Sequence, residues 1–486
     1  MGGTRGALRQ PLPLHRLRPH IRGGPASSRG ADRVSLLVRA GVLATGTGAE
    51  LAGGWVLCRD GMVVAVGGGA PPVADERLEL PGCVVMPGLV NGHDHMYQWA
   101  TRGYAPSGKL FDWLRTLYPV WAEMDAETVR LAARAAMSRL LLSGCTLSSD
   151  HHYVFPAGRP GLFEALVDAA REMGLRFHPC RGSMSLGESA GGLPPDRVVE
   201  REDLILAETE AMVSRYHDPR PGSMCRVAVA PCSPFSVTPG LMRESAALAR
   251  RLGVRLHTHL AETADEERFC QERFGMRPLE LMDELGWLGD DVWFAHGVHL
   301  SPAEVERLAE SHTGVVHCPS SNMRLGAGAC PVEDLVSAGV HVGLGVDGAA
   351  SNEDGNLAAE VHQAVLLARL RAALLGRADA ATALDGRQAW SLAWTGGAEC
   401  LGRDDCGTLE PGKCADLAAF RVDDLPHVGI DDALQALALA PPSRAEAVLV
   451  GGRVVVREGH LLTADEDSVK AGLALASRRL RQAVHA

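Results

Sequence analysis

The sequence has no uninterrupted apolar run of about 18 residues, so no segment is predicted to span a membrane. Positive charge is not in excess, because 59 Asp and Glu outnumber 48 Lys and Arg and leave a net charge of −11. This balance disfavours a nucleic-acid partner, since phosphate binding needs a basic face. The 12 cysteines include no C-x-x-C pair. They predict reduced, mostly buried thiols and a cytoplasmic protein.

The chain length favours one large α/β unit with a smaller second part, because 486 residues are many for a single core. Residues 1–33 stand apart, with seven arginines and a single acid, Asp32, among frequent prolines and glycines. They predict a disordered Arg-rich leader. Whether the mature protein contains this leader stays open.

Short strand-like runs near both ends of the chain predict one small β-sandwich. Residues 34–82 supply its first part, with a hairpin signal at Arg59-Asp60-Gly61, and residues 404–460 supply its second part. Residues 461–486 predict a C-terminal helical tail whose packing partner the pattern does not identify.

Residues 83–403 alternate apolar strands with helical stretches, which predicts a (β/α)8 TIM-like barrel. The predicted strands are 83–89, 145–150, 175–180, 226–230, 254–260, 292–296, 314–317 and 340–346. In such a barrel the carboxyl ends of all strands meet at one face, where the chemistry takes place.

Histidines and acids are concentrated directly after these strands. They are His93 and His95 after the first strand, His259 and Glu262 at the fifth, His296 at the sixth and Asp347 after the eighth. On an extended segment residues i and i+2 point the same way, so His93 and His95 can reach one metal ion. The pattern predicts a metal-dependent active site at the carboxyl face of the barrel.

Five motifs occur in a fixed order along the barrel. They are Pro-Gly-Leu-Val-Asn-x-His-x-His from Pro87, His-Thr-His-Leu-Ala-Glu from His257, Ala-His-Gly-Val-His from Ala295, His-Cys-Pro-Ser-Ser-Asn from His317 and Gly-Val-Asp-Gly from Gly345. As a set they resemble the amidohydrolase superfamily, and within it the mononuclear deaminase branch, over residues 35–460. The blocks 109–121 and 181–186 resemble, more narrowly, its 8-oxoguanine deaminase and hydroxydechloroatrazine ethylaminohydrolase group. Asp94 departs from the pattern, in which a neutral polar residue or histidine is expected.

The resemblance implies one divalent ion, Zn²⁺ or alternatively Fe²⁺, with four ligands, namely His93, His95, His259 and Asp347. It further implies that Asp347 takes the proton of the attacking water and that His296 holds the resulting hydroxide in line. Glu262 is then expected to pass a proton to a ring nitrogen. Residues 230–233, after the fourth predicted strand, contain no lysine, so a binuclear centre is not expected.

Substrate contacts are implied for Gln98, Arg181, Ser320 and Asn322. Five other histidines are interpreted as packing or supporting residues, namely His151, His152, His257, His299 and His317. Trp121 is expected to pack, whereas Trp99 and Trp113 could either stack on a planar heterocycle or pack a lid helix.

The implied reaction is hydrolytic deamination of an aminated purine-type heterocycle, with 8-oxoguanine and water giving urate and ammonia as the leading case. The alternatives are the same mechanism on guanine, isocytosine or an (alkyl)amino-s-triazine such as hydroxyatrazine. A remote alternative is a metal-free, non-catalytic barrel. The expected partners are a small heterocyclic substrate and further copies of the chain in a homo-oligomer.

Overall fold

The structure is a computed structural model that describes residues 34–485. The predicted leader, residues 1–33, lies outside the described residues.

The strands of residues 34–485 are β1 (Ser35–Ala44), β2 (Glu50–Ala52), β3 (Trp55–Arg59), β4 (Met62–Gly67), β5 (Glu76–Pro87), β6 (Leu89–Asn91), β7 (Cys145–His152), β8 (Arg176–Ser183), β9 (Ala228–Pro231), β10 (Leu256–Leu260), β11 (Val292–His296), β12 (Gly314–His317), β13 (Val342–Leu344), β14 (Leu417–Arg421), β15 (Ala447–Val450), β16 (Arg453–Arg457) and β17 (His460–Leu461).

The α-helices of the same residues are α1 (Leu110–Trp121), α2 (Ala126–Leu142), α3 (Leu162–Met173), α4 (Glu202–Tyr216), α5 (Pro239–Leu252), α6 (Ala264–Phe274), α7 (Pro278–Glu284), α8 (Pro302–Ser311), α9 (Pro319–Arg324), α10 (Val332–Ser337), α11 (Leu357–Leu374), α12 (Gly386–Ser391), α13 (Gly397–Cys400), α14 (Ala433–Leu439) and α15 (Glu466–His485). None of the helices in this part of the chain is both long and apolar enough to cross a membrane.

Nine strands from the two ends of the described chain pair into one mixed sheet, in the order β17-β16-β15-β14-β5-β1-β3-β4 with β2 beside β1. The central strand β5 runs parallel to β1 and antiparallel to β14, so it joins the N-terminal and C-terminal contributions. The prediction of a small β unit built from both ends is confirmed. The predicted hairpin joins β3 to β4, and it turns through Asp60 and Gly61 at φ angles of 53° and 80°.

Strands β6 to β13 close into a parallel barrel, which confirms the predicted TIM-like fold. One predicted strand is divided differently. The run 83–89 was expected to open the barrel, but Cys83 to Pro87 form the end of β5 in the mixed sheet, and the barrel strand β6 begins at Leu89. Both sheets bury these residues, so an apolar run does not reveal which sheet it joins.

Several barrel helices begin at residues that satisfy their first free N–H groups. In α8, Ser301 accepts a hydrogen bond from the Glu304 N–H, and the Glu304 carboxylate accepts one from the Ser301 N–H. Pro302 follows at the first helical position, where no N–H is needed. These N-terminal helix caps fix where the loop after each strand ends. The candidate site is built from these loops.

Two buried ion pairs lie near the strand starts, away from the carboxyl face of the barrel. Arg176, the first residue of β8, binds Asp416 through Nε and Nη2 at 2.8 and 2.9 Å. Arg403 binds Asp405 in the same bidentate way at 2.7 and 2.9 Å. Because Asp416 is the residue before β14, the first pair ties the mixed sheet to the barrel.

The predicted C-terminal helix is present as α15, and the structure identifies what it packs against. It lies along α2 and contacts α1, with Val469 and Leu480 buried. The Tyr104 hydroxyl donates a hydrogen bond to the Ser477 carbonyl at 2.8 Å. The helix therefore supports the segment that leads into α1.

Candidate metal and active site

The carboxyl face of the barrel collects the histidines and acids that the sequence places after its strands. His93 and His95 follow β6, His259 lies on β10, His296 ends β11 and Asp347 follows β13. The backbones of His296 and Asp347 adopt positive φ angles of 78° and 59°. Non-glycine residues pay a conformational cost for such angles, and these conformations cluster at functional sites.

Four of these side chains form one connected cluster. His95 Nε2 lies 3.0 Å from His259 Nε2, and Asp347 Oδ1 lies 3.4 Å from the Nε2 atoms of both His93 and His95. His93 Nε2 is buried and has no hydrogen-bond partner among residues 34–485. The four predicted metal ligands therefore face one another in a single cluster.

Carbonyl acceptors fix the protonation of two of these imidazoles. His95 Nδ1 lies 2.6 Å from the His151 carbonyl, and His259 Nδ1 lies 2.7 Å from the Cys232 carbonyl. A carbonyl only accepts, so Nδ1 carries the proton in both rings and Nε2 carries a lone pair. The two lone pairs then face each other across 3.0 Å.

His257 fixes the third imidazole through a relay. Its Nδ1 donates to the Trp293 carbonyl at 2.9 Å, so its Nε2 is an acceptor. His93 Nδ1 lies 2.8 Å from that Nε2 and donates to it. The lone pair of His93 is therefore on Nε2, which points into the cluster.

This arrangement fits a divalent cation. Lone pairs that face one another at such distances repel unless a positive charge lies among them, and three imidazole nitrogens with one carboxylate form a set suited to Zn²⁺. Burial, with the neighbouring His93, lowers the pKa of His95 to about 3 and keeps its imidazole neutral, as a ligand must be. Ser321 Oγ and the Gly348 N–H donate to Asp347 at 2.6 and 2.7 Å and favour its carboxylate form.

Glu262 and His296 lie side by side next to this cluster. His296 Nε2 is 3.8 Å from Glu262 Oε2, and Asn322 Nδ2 donates to His296 Nδ1 at 3.0 Å. His296 is neutral, since burial lowers its pKa to about 3. Its proton is therefore on Nε2, facing Glu262. Burial, with the nearby Asp347 and Glu266, raises the pKa of Glu262 well above its usual range and favours the protonated acid.

Glu266 holds the turn that carries Glu262. Its carboxylate accepts hydrogen bonds from the N–H groups of Ala261 and Glu262 at 2.9 and 2.8 Å. Ala261 has a positive φ of 52°, so the turn is strained and needs such support. Sequence analysis did not single out Glu266, because an acid in the first turn of a helix is common for reasons of helix stability.

A cavity opens beside these groups. Its polar side, here called the floor, consists of His95, Gln98, His259, Glu262, His296 and Asp347. Its apolar lining, here called the roof, includes Leu110, Trp113, Leu114 and Tyr118 of α1 together with Phe235 and Leu325. An apolar cleft with a few convergent polar groups suits a planar ring with a polar edge.

The four predicted substrate contacts take different places. Gln98 lies in the floor, whereas Arg181 binds Glu200 and Glu208 at 2.8 Å each and stacks on Phe155, outside the cavity. The Ser320 N–H donates to Glu360 at 3.0 Å, so its backbone is engaged away from the cavity. Asn322 is buried and reaches His296 rather than the cavity wall.

The three tryptophans considered as stacking or packing residues also lie in different environments. Trp113 lies in the roof and donates from Nε1 to the Ala350 carbonyl at 3.3 Å. Trp121 is fully buried and donates to Thr101 at 3.1 Å, as expected of a packing residue. Trp99 lies outside the cavity beneath the Arg102 guanidinium, 4.4 Å from it.

The supporting histidines are all close to strand ends. His151 donates from Nε2 to the Ala230 carbonyl at 2.7 Å, and His299 donates from Nε2 to the Ala327 carbonyl at 3.0 Å. His152 packs against Phe155, with ring centroids 4.9 Å apart, and His317 is buried. His257 has the most direct role, because it orients a predicted ligand.

Asp94, the residue that departs from the expected motif, is fully buried between the two ligand candidates. Its carboxyl accepts a hydrogen bond from Asn91 Nδ2 at 3.3 Å. Burial, with Asp150 and Asp347 nearby, raises its pKa well above its usual range. The favoured form is the neutral acid, which resembles the neutral polar residue expected at this position.

A profile described as the Amidohydrolase family matches residues 84–455 of the chain. The chain belongs to the amidohydrolase family. The resemblance read from its five motifs is therefore confirmed, and so is the expectation of a hydrolase.

Individual members of the amidohydrolase family are similar over most of their length. The 8-oxoguanine deaminase of Pseudomonas aeruginosa is 48% identical over 420 residues, which cover 85% of this chain and 92% of that protein. The hydroxydechloroatrazine ethylaminohydrolase of a Pseudomonas species is 37% identical over 436 residues, which cover 86% and 89%. The crystal structure of atrazine chlorohydrolase from Arthrobacter aurescens, complexed with zinc, has a TM-score of 0.87 at 31% identity and covers 91% of this chain and all 100% of its own.

Proposed function

We propose that this amidohydrolase is a metal-dependent deaminase that converts 8-oxoguanine and water into urate and ammonia. The observation that carries the proposal is the set of three imidazole Nε2 atoms and one carboxylate oxygen facing one another beside Glu262. The similarity to the 8-oxoguanine deaminase of P. aeruginosa supports the choice of substrate. The same site is also compatible with related aminated heterocycles.

His93, His95, His259 and Asp347 would hold the ion, with Zn²⁺ favoured by the donor set and Fe²⁺ as the alternative. Such an ion supplies Lewis acidity and lowers the pKa of water towards neutrality, so that hydroxide is available at neutral pH.

The remaining steps fall to the side chains of the floor. Asp347 accepts the proton released by the attacking water. His296 donates from Nε2 and holds the attacking oxygen in line with the amino-bearing carbon. Glu262, as the protonated acid, donates its proton to the adjacent ring nitrogen as the tetrahedral intermediate forms. Asp347 then returns the proton it took from water to the amino nitrogen, the C–N bond breaks and ammonia leaves. The remaining hydroxyl proton passes to Glu262 as the new carbonyl of urate forms, which restores both acids. Gln98, which lines the same cavity, is proposed to bind the ring edge next to that carbon.

The direct test is to incubate metal-replete enzyme with 8-oxoguanine and to follow urate and ammonia. We expect both products in equal amounts. Glu262→Gln should retain the metal and lose about 10²–10⁴-fold in kcat, because the proton donor is removed while the ligands remain. Glu272→Gln, an exposed acid on α6, is the matched control and should behave as wild type. Absence of urate with fully loaded enzyme would refute the choice of substrate.

The second candidate is the same chemistry on guanine, isocytosine or an (alkyl)amino-s-triazine. The similarity to hydroxydechloroatrazine ethylaminohydrolase favours including the triazines. Comparing kcat/KM across this panel ranks the substrates, because a site that hydrogen-bonds particular ring atoms discriminates strongly against analogues that lack them. A metal-free, non-catalytic barrel would instead contain no metal by elemental analysis and would keep its thermal stability in a chelator.

We further propose that the enzyme acts in the cytoplasm as a homo-oligomer. The scattered cysteines are free thiols in the described residues, and all except the half-buried Cys225 are buried, which agrees with a reducing compartment. Light scattering of the purified full chain measures the number of copies, and a monomeric mass at assay concentration would contradict the oligomer.

A further inference from the structure

Helix α1 presents one face to the cavity. Leu110, Trp113, Leu114 and Tyr118 follow an i, i+3, i+4, i+8 pattern, so their side chains lie on one stripe of the helix, and all four line the cavity. This stripe forms most of the roof. A substrate whose amino-bearing carbon meets Glu262 can place the rest of its ring along this stripe.

The roof is almost entirely apolar, and its polar atoms differ in availability. The Trp113 Nε1–H already donates to the Ala350 carbonyl at 3.3 Å. The Tyr118 side chain is 0% exposed, and its hydroxyl has no hydrogen-bond partner anywhere in residues 34–485. An unpaired buried hydroxyl is unfavourable, because its lost hydration is not replaced by a hydrogen bond.

The chemistry of this hydroxyl matches one edge of the proposed substrate. Burial raises the pKa of Tyr118 well above its usual range, so the group is a neutral hydroxyl that can both donate and accept. In 8-oxoguanine the five-membered ring, with its C8 carbonyl between two N–H groups, lies at the end of the molecule away from the C2 amino group. Guanine has a C–H in place of that carbonyl.

We propose that the Tyr118 hydroxyl binds the oxo edge of the substrate's five-membered ring and so determines the preference for an oxidised purine. This inference rests on the proposed function, since it takes the amino-bearing carbon to lie at the floor. Tyr118 would act on binding and specificity, and the proton transfers would remain with the floor residues.

The test is Tyr118→Phe, which removes the hydroxyl and keeps the ring. We expect kcat/KM for 8-oxoguanine to fall about 10–100-fold, while kcat/KM for guanine changes less than about 3-fold, because guanine offers no C8 oxygen. The dissociation constant of urate, which keeps the C8 carbonyl, should rise by a similar factor. The melting temperature of the metal-loaded, ligand-free enzyme should stay the same or increase, because an unpaired buried hydroxyl has been removed.

Tyr216→Phe is the matched control, since Tyr216 lies on α4 outside the cavity, and it should leave both substrates unaffected. An unchanged ratio of 8-oxoguanine to guanine kcat/KM in Tyr118→Phe would overturn the inference. A lower melting temperature with equal losses on both substrates would also overturn it, by showing a structural role. If wild-type enzyme fails on 8-oxoguanine, the proposed function and this substrate assignment fall together. If wild type is active and Tyr118→Phe is indistinguishable from it, only the inference falls.

Discussion

His93 donates a hydrogen bond from Nδ1 to Nε2 of His257 across 2.8 Å. His257 is itself held by the Trp293 carbonyl, so this pair decides which nitrogen of His93 carries a lone pair. His257 is not a predicted metal ligand, but it thus orients His93, which is one. Partners of this kind typically affect metal affinity by 10-fold or more.

The first prediction is that His257→Phe weakens metal binding about 10–100-fold, because phenylalanine keeps the stacking on Trp293 but cannot accept the His93 proton. Competition with a chelator of known affinity measures the change. His178→Phe is the control, since this buried histidine lies against the same tryptophan but makes no contact with His93 in the ligand cluster. Equal metal affinities in the two variants would contradict the relay.

The second prediction concerns Asn322, which donates to His296 Nδ1. Asn322→Asp replaces the donor by an acceptor, so the His296 proton moves to Nδ1 and the Nε2 atom that faces Glu262 loses its hydrogen. We expect kcat to fall about 10-fold or more, with metal content and melting temperature near those of wild type. If Asn322 contacted the substrate instead, the substitution would raise KM and leave kcat unchanged. Measuring both constants therefore distinguishes the two roles of Asn322.

The third prediction is a pH profile. Burial raises the pKa of Glu262, and the proposed mechanism needs its protonated form. The fraction of competent enzyme is therefore full at pH values below this pKa and is lost as pH rises through it. A kcat/KM profile measured at constant metal loading should show a descending alkaline limb. In Glu262→Gln the residual rate should lack that limb, and persistence of the limb would assign it to another group.

The fourth prediction concerns stability. Burial opposes ionisation of Asp405, but its hydrogen bonds from Arg403 outweigh this effect and hold its pKa well below the usual range. A lowered carboxylate pKa stabilises the fold above the unfolded value of about 3.9, and this contribution is lost as pH falls through the folded pKa. Asp405→Asn should lower the free energy of unfolding by about 3–5 kcal/mol at pH 7, because Arg403 is left buried and unpaired.

Denaturant unfolding between neutral and acid pH measures the Asp405 effect. The wild-type free energy should decline towards low pH more steeply than that of the variant. Asp467→Asn, a change of an exposed acid at the start of α15, is the control and should follow the wild-type curve. If the free energy of unfolding fell equally with decreasing pH in wild type and Asp405→Asn, the assigned link between Asp405 ionisation and stability would be contradicted.

The periodicity of the sequence was sufficient to predict the barrel and to identify the residues of the candidate metal cluster. Strands of a parallel barrel all end at one face, so a histidine or acid placed directly after a strand is assigned to that face without knowledge of tertiary contacts. His93 and Asp347 are such residues, His259 lies near the carboxyl end of β10, and the structure brings their polar atoms together around His93.

Tertiary structure alone decided three other features, each for a physical reason. The run 83–89 is divided between two sheets because hydrophobicity records burial but not the neighbouring strand. Arg181 follows a strand but faces Glu200 and Glu208, which lie on a separate loop and helix. Tyr118 lines the cavity because α1 packs beside the site, and no local pattern encodes where a helix after a long loop packs. Residue type and spacing therefore determined the chemistry available to this protein, and long-range packing determined which groups meet the substrate.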